Sequence, residues 1–147
     1  MRKLGGPGRS GAPSAHPMDP LLTLRPILLI VDDDAEVLRA LGFMAGTRGY
    51  DILSCATAAE AMSVVDGRVA CLVVDQNLPD VQGIRLIQHI RSAGLRTPAL
   101  LITTDPSAAL RREAAAVGAP IVEKPLLDES LFQQIKRLVA DAGCGDL

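Results

Sequence analysis

Short apolar runs alternate along this chain with segments whose apolar residues recur at helical spacing. The apolar runs predict five strands, at residues 26–31, 51–55, 70–74, 99–102 and 120–123. The first and third runs carry no polar side chain on either face, which is typical of strands inside a parallel sheet covered on both faces. An acidic residue directly follows each of these two runs.

The segments between and after the strands predict five helices. Asp34 is placed to cap the first helix at its N-terminus, and Gly49 is placed to end it. Gly67, Gly94 and Gly118 follow the next three helices. The residues expected to face the core are Val37, Leu38, Leu41, Met44, Ala45, Ala58, Ala61, Met62, Val65, Leu86, Ile87, Ile90, Leu110, Ala114, Leu131, Ile135, Leu138 and Val139.

Strict alternation of strands and helices with short connections implies right-handed crossovers. We therefore predict an α/β fold, a doubly wound five-stranded parallel sheet with five helices in three layers. The 147 residues suit one domain, which we place at 26–142. Residues 1–25 are rich in Gly and Pro and are interpreted as a disordered or extended leader, and 143–147 as a C-terminal tail.

Composition narrows the function classes. Hydrophobic residues make up 48% of the chain but aromatic residues only 2%, so the core must be aliphatic. Beyond residue 25 there are 11 basic against 16 acidic residues, which disfavours direct binding of nucleic acid. No apolar stretch approaches the roughly 20 residues that span a bilayer, so membrane insertion is not expected. Cys55, Cys71 and Cys144 show no paired spacing, which favours a reducing cytoplasm.

Polar residues stand where the predicted strands end. Asp32 and Asp33 follow the first strand and Asp75 the third, while Thr103 and Lys124 follow the fourth and fifth. All can converge on one edge of a doubly wound sheet, where such folds bind their ligands. Three carboxylates in a small space repel one another unless a divalent cation neutralises them, so the sequence predicts a Mg²⁺ site with oxygen ligands.

This set of groups suits the transfer of a phosphoryl group to a carboxylate. Asp75 would attack phosphorus in line, while the cation and Lys124 neutralise the charge that develops on oxygen and Thr103 donates a hydrogen bond. The chain has no glycine-rich phosphate cradle of the P-loop type. A nucleotide is therefore not required as the donor.

Over residues 26–142 the chain resembles the receiver domain of two-component response regulators. The resemblance is carried, in order, by Asp32-Asp33, by the segment from Val74 to Pro79 followed by Gly83, by the strand end Leu101-Ile102-Thr103-Thr104, and by Glu123-Lys124-Pro125. It implies a flavodoxin-like fold and a signalling role. Chemistry would then be limited to self-catalysed phosphotransfer and autodephosphorylation.

The resemblance also implies roles for individual residues. Asp75 would accept phosphate from a sensor histidine kinase or a histidine phosphotransfer protein. Asp33 would bind Mg²⁺ directly and Asp32 largely through water, with Asp75 and the backbone carbonyl of Asn77 completing the protein ligands. Pro125 would follow the peptide bond that is cis in the family.

Two positions depart from the commonest family pattern, and two others are placed to tune it. Ile121 stands where many receivers have Tyr or Phe, which predicts that the aromatic part of the switch is absent or muted. Thr104 stands where a smaller residue is common, which predicts slower transfer from the phosphodonor. Asp105, like Asn77, lies two positions beyond a site residue, where similar receivers tune the lifetime of the phosphate.

Only five residues follow Ala142, so we expect a stand-alone receiver. Its output would be a protein partner read through the face of the last two helices and the fifth strand, and a weak homodimer stays open. Alternatives are a receiver-like module that binds without phosphorylation, a phosphate sink, and a haloacid dehalogenase-like phosphatase, because Asp32 and Asp34 form an Asp-x-Asp after an apolar strand.

Overall fold

A computed structural model describes residues 25–124 and 129–145, and within these ranges it contains the predicted strands and helices in the predicted order. The strands are β1 (Ile27–Val31), β2 (Asp51–Cys55), β3 (Val69–Asp75), β4 (Ala99–Thr103) and β5 (Ile121–Glu123). The helices are α1 (Ala35–Thr47), α2 (Ala58–Val64), α3 (Gly83–Ser92), α4 (Ala108–Ala116) and α5 (Ser130–Gly145). Two predicted site residues, Asp75 and Thr103, are themselves the last residues of their strands.

The five strands form one parallel sheet in the order β2-β1-β3-β4-β5. The predicted doubly wound fold is therefore confirmed. The chain turns outward in opposite directions from β1 and β3, and a crevice at the carboxyl ends of such strands is where ligands bind in this class of fold. Asp32 and Asp75 both lie at that crevice.

Side chains of the central strands alternate between two buried layers because successive strand residues point to opposite faces. Leu29, Leu72 and Leu101 point toward α2, α3 and α4, whereas Leu28 and Ile30 point toward α1 and α5. Both faces are thus covered, which explains the absence of polar residues in the first apolar run.

The helices present the predicted faces to these layers. On α3, Leu86, Ile87 and Ile90 are buried, and Ile84 joins them. The other predicted core positions are buried or partly buried. The buried ones are Leu41, Ala45, Ala58, Ala61, Leu110, Ala114, Leu131 and Ile135, and the partly buried ones are Val37, Leu38, Met44, Met62, Val65, Leu138 and Val139.

The predicted helix ends are confirmed where the structure tests them. Oδ1 of Asp34 accepts hydrogen bonds from the backbone N–H groups of Glu36 at 2.9 Å and Val37 at 3.3 Å, as an N-cap does. Gly49 and Gly94 adopt φ of 91° and 90° just beyond α1 and α3. A side chain at such φ would be strained, so glycine suits both positions.

The described residues begin at Arg25, whose guanidinium donates to the backbone oxygens of Gly46, Gly49 and Tyr50. The chain is thus held at the turn between α1 and β2 from its first described residue. The leader at 1–24 and Pro125 with its peptide bond lie outside the described residues. At the other end α5 continues through Gly145, past the boundary predicted at 142.

Two of the three cysteines have described side chains. Cys55 and Cys71 are buried free thiols, and burial raises the pKa of Cys71 to about 12. They therefore behave as small apolar residues, as their place in the strands indicated. No helix in the described part of the chain is long and apolar enough to cross a membrane.

Candidate functional site

Three carboxylates meet at the carboxyl end of the sheet. Because β1 pairs directly with β3, Asp32 and Asp33, which follow β1, come to lie beside Asp75 at the end of β3. One carboxylate oxygen from each of the three lies within 4.8 Å of the others. Asp32 and Asp75 are buried and Asp33 is exposed, so the cluster opens to solvent on one side.

Asp32 is an acid held in an unfavourable place for charge. Its side chain is only 3% exposed, and this burial raises its pKa above the ordinary value. The nearby charge of Asp75 raises the pKa further, while a hydrogen bond at 2.9 Å from the backbone N–H of Asp34 to Oδ1 lowers it. The net direction is upward, so ionising Asp32 costs free energy in the folded protein.

Lys124 supplies the positive charge of the site. Its Nζ lies 3.1 Å from Oδ1 of Asp75, and the two side chains are 30% and 4% exposed. The lysine reaches this point because its backbone N–H donates to the oxygen of Thr103 at 2.9 Å, which extends the β4–β5 pairing by one residue. Sequence spacing predicted that Lys124 would approach the acids, and the structure confirms it.

Oδ1 of Asp75 is the one buried side-chain oxygen or nitrogen of the described residues that has no hydrogen bond. The lysine is at ion-pair distance but not in hydrogen-bond geometry, so it neutralises charge without saturating this oxygen. A buried carboxylate oxygen with a free lone pair is available as a ligand or as a nucleophile.

Thr103 ends β4 on the other side of Asp75, whose paired residue on that strand is Ile102. Its side chain is buried, and its hydroxyl makes a long hydrogen bond of 3.4 Å to the backbone oxygen of Thr104. The hydroxyl therefore stands at the same edge of the sheet as the acids. Thr104 is exposed and, with Asp34 and Lys124, lines a cavity of about 540 Å³ beside α1.

The loop between β3 and α3 is held at both ends. Asn77 and Gln82 form an isolated antiparallel bridge, which places the backbone of Asn77 in a closed turn two residues after Asp75. At the tip of the loop, Asp80 accepts hydrogen bonds from the N–H groups of Ala58 at 3.0 Å and Ala59 at 2.9 Å. The loop is therefore tied to the first turn of α2.

Sequence reasoning missed Asp80. Its partners lie more than 20 residues earlier in the chain, so no local pattern marks it as a cap of α2. The only available signal was Pro79-Asp80 in a loop, a pair that is common in any turn.

Ile121 bears on the predicted switch, and Asp105 on the predicted lifetime of the phosphate. Ile121 is partly buried and packs against the layer formed by α2, α3 and α4. Asp105 adopts φ of 53°, a left-handed conformation that is unusual for a residue other than glycine. The chain thus bends sharply at Asp105, directly before Ser107 caps α4 by accepting from the N–H of Leu110.

The donor set fits a hard divalent cation. Carboxylate oxygens are the ligands that Mg²⁺ prefers, and the ion usually keeps several waters, which the open side at Asp33 permits. A cation would also offset the repulsion among the three acids and give the unsaturated oxygen of Asp75 a partner. Both the spacing of the three carboxylates and the buried Asp75 oxygen without a hydrogen bond therefore fit a bound Mg²⁺ ion.

Comparison with known proteins agrees with this geometry. The family model described as the response regulator receiver domain matches residues 28–136. The transcriptional regulatory protein FixJ of Rhizobium meliloti is 29% identical over 110 residues, which are 74% of this chain and 54% of that protein. The transcriptional regulatory protein BasR of Escherichia coli is 32% identical over 114 residues, 76% of this chain and 51% of that protein. The chain spans about half the length of these curated relatives.

Solved structures agree on the fold. The chemotaxis response regulator CheY4 of Vibrio cholerae is 26% identical, with a TM-score of 0.70 over 78% of this chain and 98% of that one. A CheY-like receiver domain protein of Methanospirillum hungatei has a TM-score of 0.74 at 24% identity, over 80% of this chain and 95% of that one. The predicted flavodoxin-like architecture is thereby confirmed.

Proposed function

Because this chain belongs to the response regulator receiver domain family, we propose that Asp75 is its phosphoacceptor and takes a phosphoryl group in a Mg²⁺-dependent reaction. The observation that carries the proposal is the buried Asp75 oxygen, which lacks a hydrogen bond and lies among two acids and one lysine. The donor would be a phosphohistidine on a sensor histidine kinase or a histidine phosphotransfer protein.

In the transfer, an oxygen of the Asp75 carboxylate attacks phosphorus as the phosphorus–nitrogen bond breaks. The imidazole nitrogen keeps the electron pair of that bond and takes up a proton, and Asp75 becomes an acyl phosphate. Asp75 is buried at the end of β3, so its electrostatic interactions with the phosphoryl group would be stronger than in bulk water.

Two side chains would stabilise the negative charge that builds up on the phosphoryl oxygens. The ammonium of Lys124 already lies 3.1 Å from Asp75 and has to move little to contact a phosphoryl oxygen. The hydroxyl of Thr103 would exchange its long bond to Thr104 for one to the phosphoryl group. Both roles are positioning and charge stabilisation, which carry most of the catalysis in phosphoryl transfer.

Asp32, Asp33 and Asp75 would hold the ion, with the backbone oxygen of Asn77 as a further protein ligand. Bound Mg²⁺ supplies charge neutralisation for the phosphoryl oxygens and the acids together. Asp32 would contribute largely through an intervening water. The acyl phosphate would later be hydrolysed at the same site.

The phosphorylated state would be read by a protein partner through α4, β5 and α5. In this face Arg111 of α4 pairs with Glu123 of β5 at 3.2 Å, so the helix and the strand are already linked by an exposed ion pair. The buried free thiols of Cys55 and Cys71 suit a reducing compartment, and we propose a cytoplasmic protein. The net negative charge of the folded part argues for a protein target over direct contact with nucleic acid.

The decisive experiment is intact mass after incubation with acetyl phosphate and Mg²⁺. We expect a gain of one phosphoryl group in the wild type and none in Asp75→Ala or after chelation of the metal. Asp51→Ala is a matched control, because Asp51 is an exposed aspartate at the opposite end of the sheet.

A phosphoryl gain in Asp75→Ala would contradict the assignment of the acceptor. If the wild type gains nothing, the same assay with a phosphorylated histidine phosphotransfer domain tests whether the exposed side chain of Thr104 obstructs the small donor. No transfer from either donor would leave the alternative of a receiver-like module that binds its partner without phosphorylation.

A further inference from the structure

Gln76, the residue directly after Asp75, is a buried polar side chain that the proposed reaction does not use. It is 8% exposed and stands where β3 ends and the loop begins. A buried amide has to find hydrogen-bond partners or else weaken the fold. The groups that hydrogen-bond to Gln76 therefore indicate its structural role.

Three hydrogen bonds of Gln76 connect neighbouring elements to the end of β3. The side-chain Oε1 accepts from the N–H of Ile84, the second residue of α3, at 2.9 Å. The backbone oxygen of Gln76 accepts from Gly83 at 2.9 Å, and its N–H donates to Ile102 of β4 at 2.9 Å. Gln76 thus joins β3, β4 and the first turn of α3.

The bonds from Gly83 and Ile84 to Gln76 take the place of an ordinary helix N-cap. The N-cap position of α3 is Gln82, whose side chain makes no capping bond. The free N–H groups of the first turn are instead satisfied from the strand, through the oxygens of Gln76. The first turn of α3 is therefore held by the residue that follows Asp75 in the chain.

The first turn of α3 also packs closely against the backbone of Asp75. A Cβ placed on Gly83 would lie well inside van der Waals contact with the backbone oxygen of Asp75 and 2.9 Å from Cγ1 of Val74. Only glycine permits this approach. The peptide that carries the Asp75 side chain thus has α3 packed directly on it.

We propose that Gln76 is a positioning residue for Asp75, holding the first turn of α3 against the backbone of the acid so that its carboxylate keeps one direction within the acidic cluster. This inference rests on the proposed phosphoacceptor role of Asp75. An apolar side chain of the same size would fill the space but leave the buried N–H of Ile84 without an acceptor.

The test compares Gln76→Leu with Gln76→Glu. Leucine fills a similar volume without an acceptor, whereas glutamate keeps an oxygen for the N–H of Ile84 and suits a helix N-terminus. Thr57→Ala is the matched control, because it removes a cap of α2, the bond from Glu60 to Oγ1 at 3.0 Å, without touching the Asp75 backbone.

Two readouts are needed for each variant. The first is the rate of Asp75 phosphorylation at saturating acetyl phosphate and Mg²⁺, together with the donor concentration at half saturation. We expect Gln76→Leu to lower the maximal rate by about tenfold or more with an unchanged half-saturation, since a misdirected nucleophile costs rate and not binding. Gln76→Glu should recover part of the rate, since it keeps the acceptor for Ile84 but adds a negative charge beside Asp75, and Thr57→Ala should keep the full rate.

The second readout is hydrogen exchange of the Ile84 amide by nuclear magnetic resonance, which does not depend on phosphorylation. We expect exchange to be about tenfold faster in Gln76→Leu and protected again in Gln76→Glu. If the wild type takes up no phosphate from either donor, the proposed function fails while the exchange data still decide whether Gln76 holds α3 at Asp75.

The inference is overturned if Gln76→Leu matches Thr57→Ala in maximal rate within about twofold while both remain folded. It is also overturned if the Ile84 amide stays protected in Gln76→Leu. A rate equally low in Gln76→Leu and Gln76→Glu, with the Ile84 amide protected only in Gln76→Glu, would show that the bond to Ile84 does not direct Asp75 and would likewise reject the proposal.

Discussion

At the level of single residues, the charge balance around Asp75 dominates the chemistry of the site. This acid is almost fully buried, two further carboxylates have an oxygen within 4.8 Å of its own, and Nζ of Lys124 lies 3.1 Å from its Oδ1. A divalent metal ion bound to the three carboxylates would therefore stabilise an otherwise repulsive cluster. Each change of charge at this site should alter folding as well as reactivity.

Replacing Lys124 with methionine should destabilise the metal-free protein by about 2 kcal/mol, because the buried charge of Asp75 then faces only other acids. The cost stays below that of a fully buried pair since the lysine is 30% exposed and water screens part of the interaction. Urea unfolding in the presence of a chelator measures the loss. The double variant Lys124→Met, Asp75→Asn should recover most of it, and equal losses in both variants would contradict the argument.

Asp32 makes stability depend on pH. Its pKa is raised in the folded state, chiefly by burial, so folding favours the neutral form of this acid relative to the unfolded chain. This contribution to stability is fully present below the ordinary pKa of aspartate, about 4, and is lost as pH rises through the higher pKa of the folded state.

Asp32→Asn keeps an acceptor for the N–H of Asp34 and removes the ionisation. Without metal, we expect the variant to be more stable than wild type at pH 7, with a difference that shrinks as pH falls toward 4. Unfolding free energies across this range, in a chelator, measure it. A difference independent of pH would show that the ionisation of Asp32 is not its cause.

At the level of elements, the docking of α3 on β3 determines how closely the helix approaches the site. Its buried face includes Ile84, Leu86, Ile87 and Ile90, so the helix is anchored along its length as well as at its first turn. Gly83 is the point of closest approach, since its missing Cβ leaves room for the backbone oxygen of Asp75.

Gly83→Ala should therefore destabilise the protein by about 2 kcal/mol or more, because backbone atoms have to shift to admit the methyl group. Gly46→Ala is the matched control. A Cβ there meets nothing within 4 Å and the residue lies inside α1, so alanine should stabilise by about 0.5–1 kcal/mol.

Chemical denaturation of both variants compares the two effects. Equal stability of Gly83→Ala and wild type would mean that α3 does not press on Asp75. That result would also weaken the case for Gln76 as a positioning residue.

At the level of the whole molecule, the parallel sheet gathers residues that are far apart in the chain. Asp32 and Lys124 directly follow β1 and β5, whereas Asp75 and Thr103 end β3 and β4, and all four strands end at one edge. The carboxylates of Asp32, Asp33 and Asp75 that meet there repel one another unless a cation binds. Metal binding should therefore stabilise the complete fold.

We expect Mg²⁺ at about 100 times its dissociation constant to add about 2.7 kcal/mol to the free energy of unfolding, and a chelator to reverse the gain. Thermal unfolding over a series of Mg²⁺ concentrations measures it. Asp33→Asn, which removes the exposed carboxylate and leaves the buried ones in place, should lose most of the effect. An equal gain in that variant would place the ion elsewhere.

The sequence by itself determined the order of strands and helices, the two buried faces of the sheet and the acids at the strand ends. These features depend on residues close together in the chain. A strand covered on both faces must be apolar throughout, and a helix on the sheet must repeat its apolar residues about every 3.6 positions. Hence the sequence alone predicted that Leu28 and Leu29 are both buried and that α3 has one apolar face. The family match confirmed the resemblance to receiver domains that the acids at the strand ends indicated.

Only the tertiary structure decided which polar groups meet across the loops. Asp80 caps a helix that begins 22 residues earlier, Gln76 takes the place of the missing cap of α3, and Lys124 pairs with Asp75 without saturating it. The partners of Asp80 and Lys124 are more than 20 residues away in the chain, and nothing in the local pattern distinguishes Gln76 or Asp80 from ordinary loop residues. Hydrogen bonds require positions correct to a few tenths of an ångström, and only the packing of complete elements sets positions that finely.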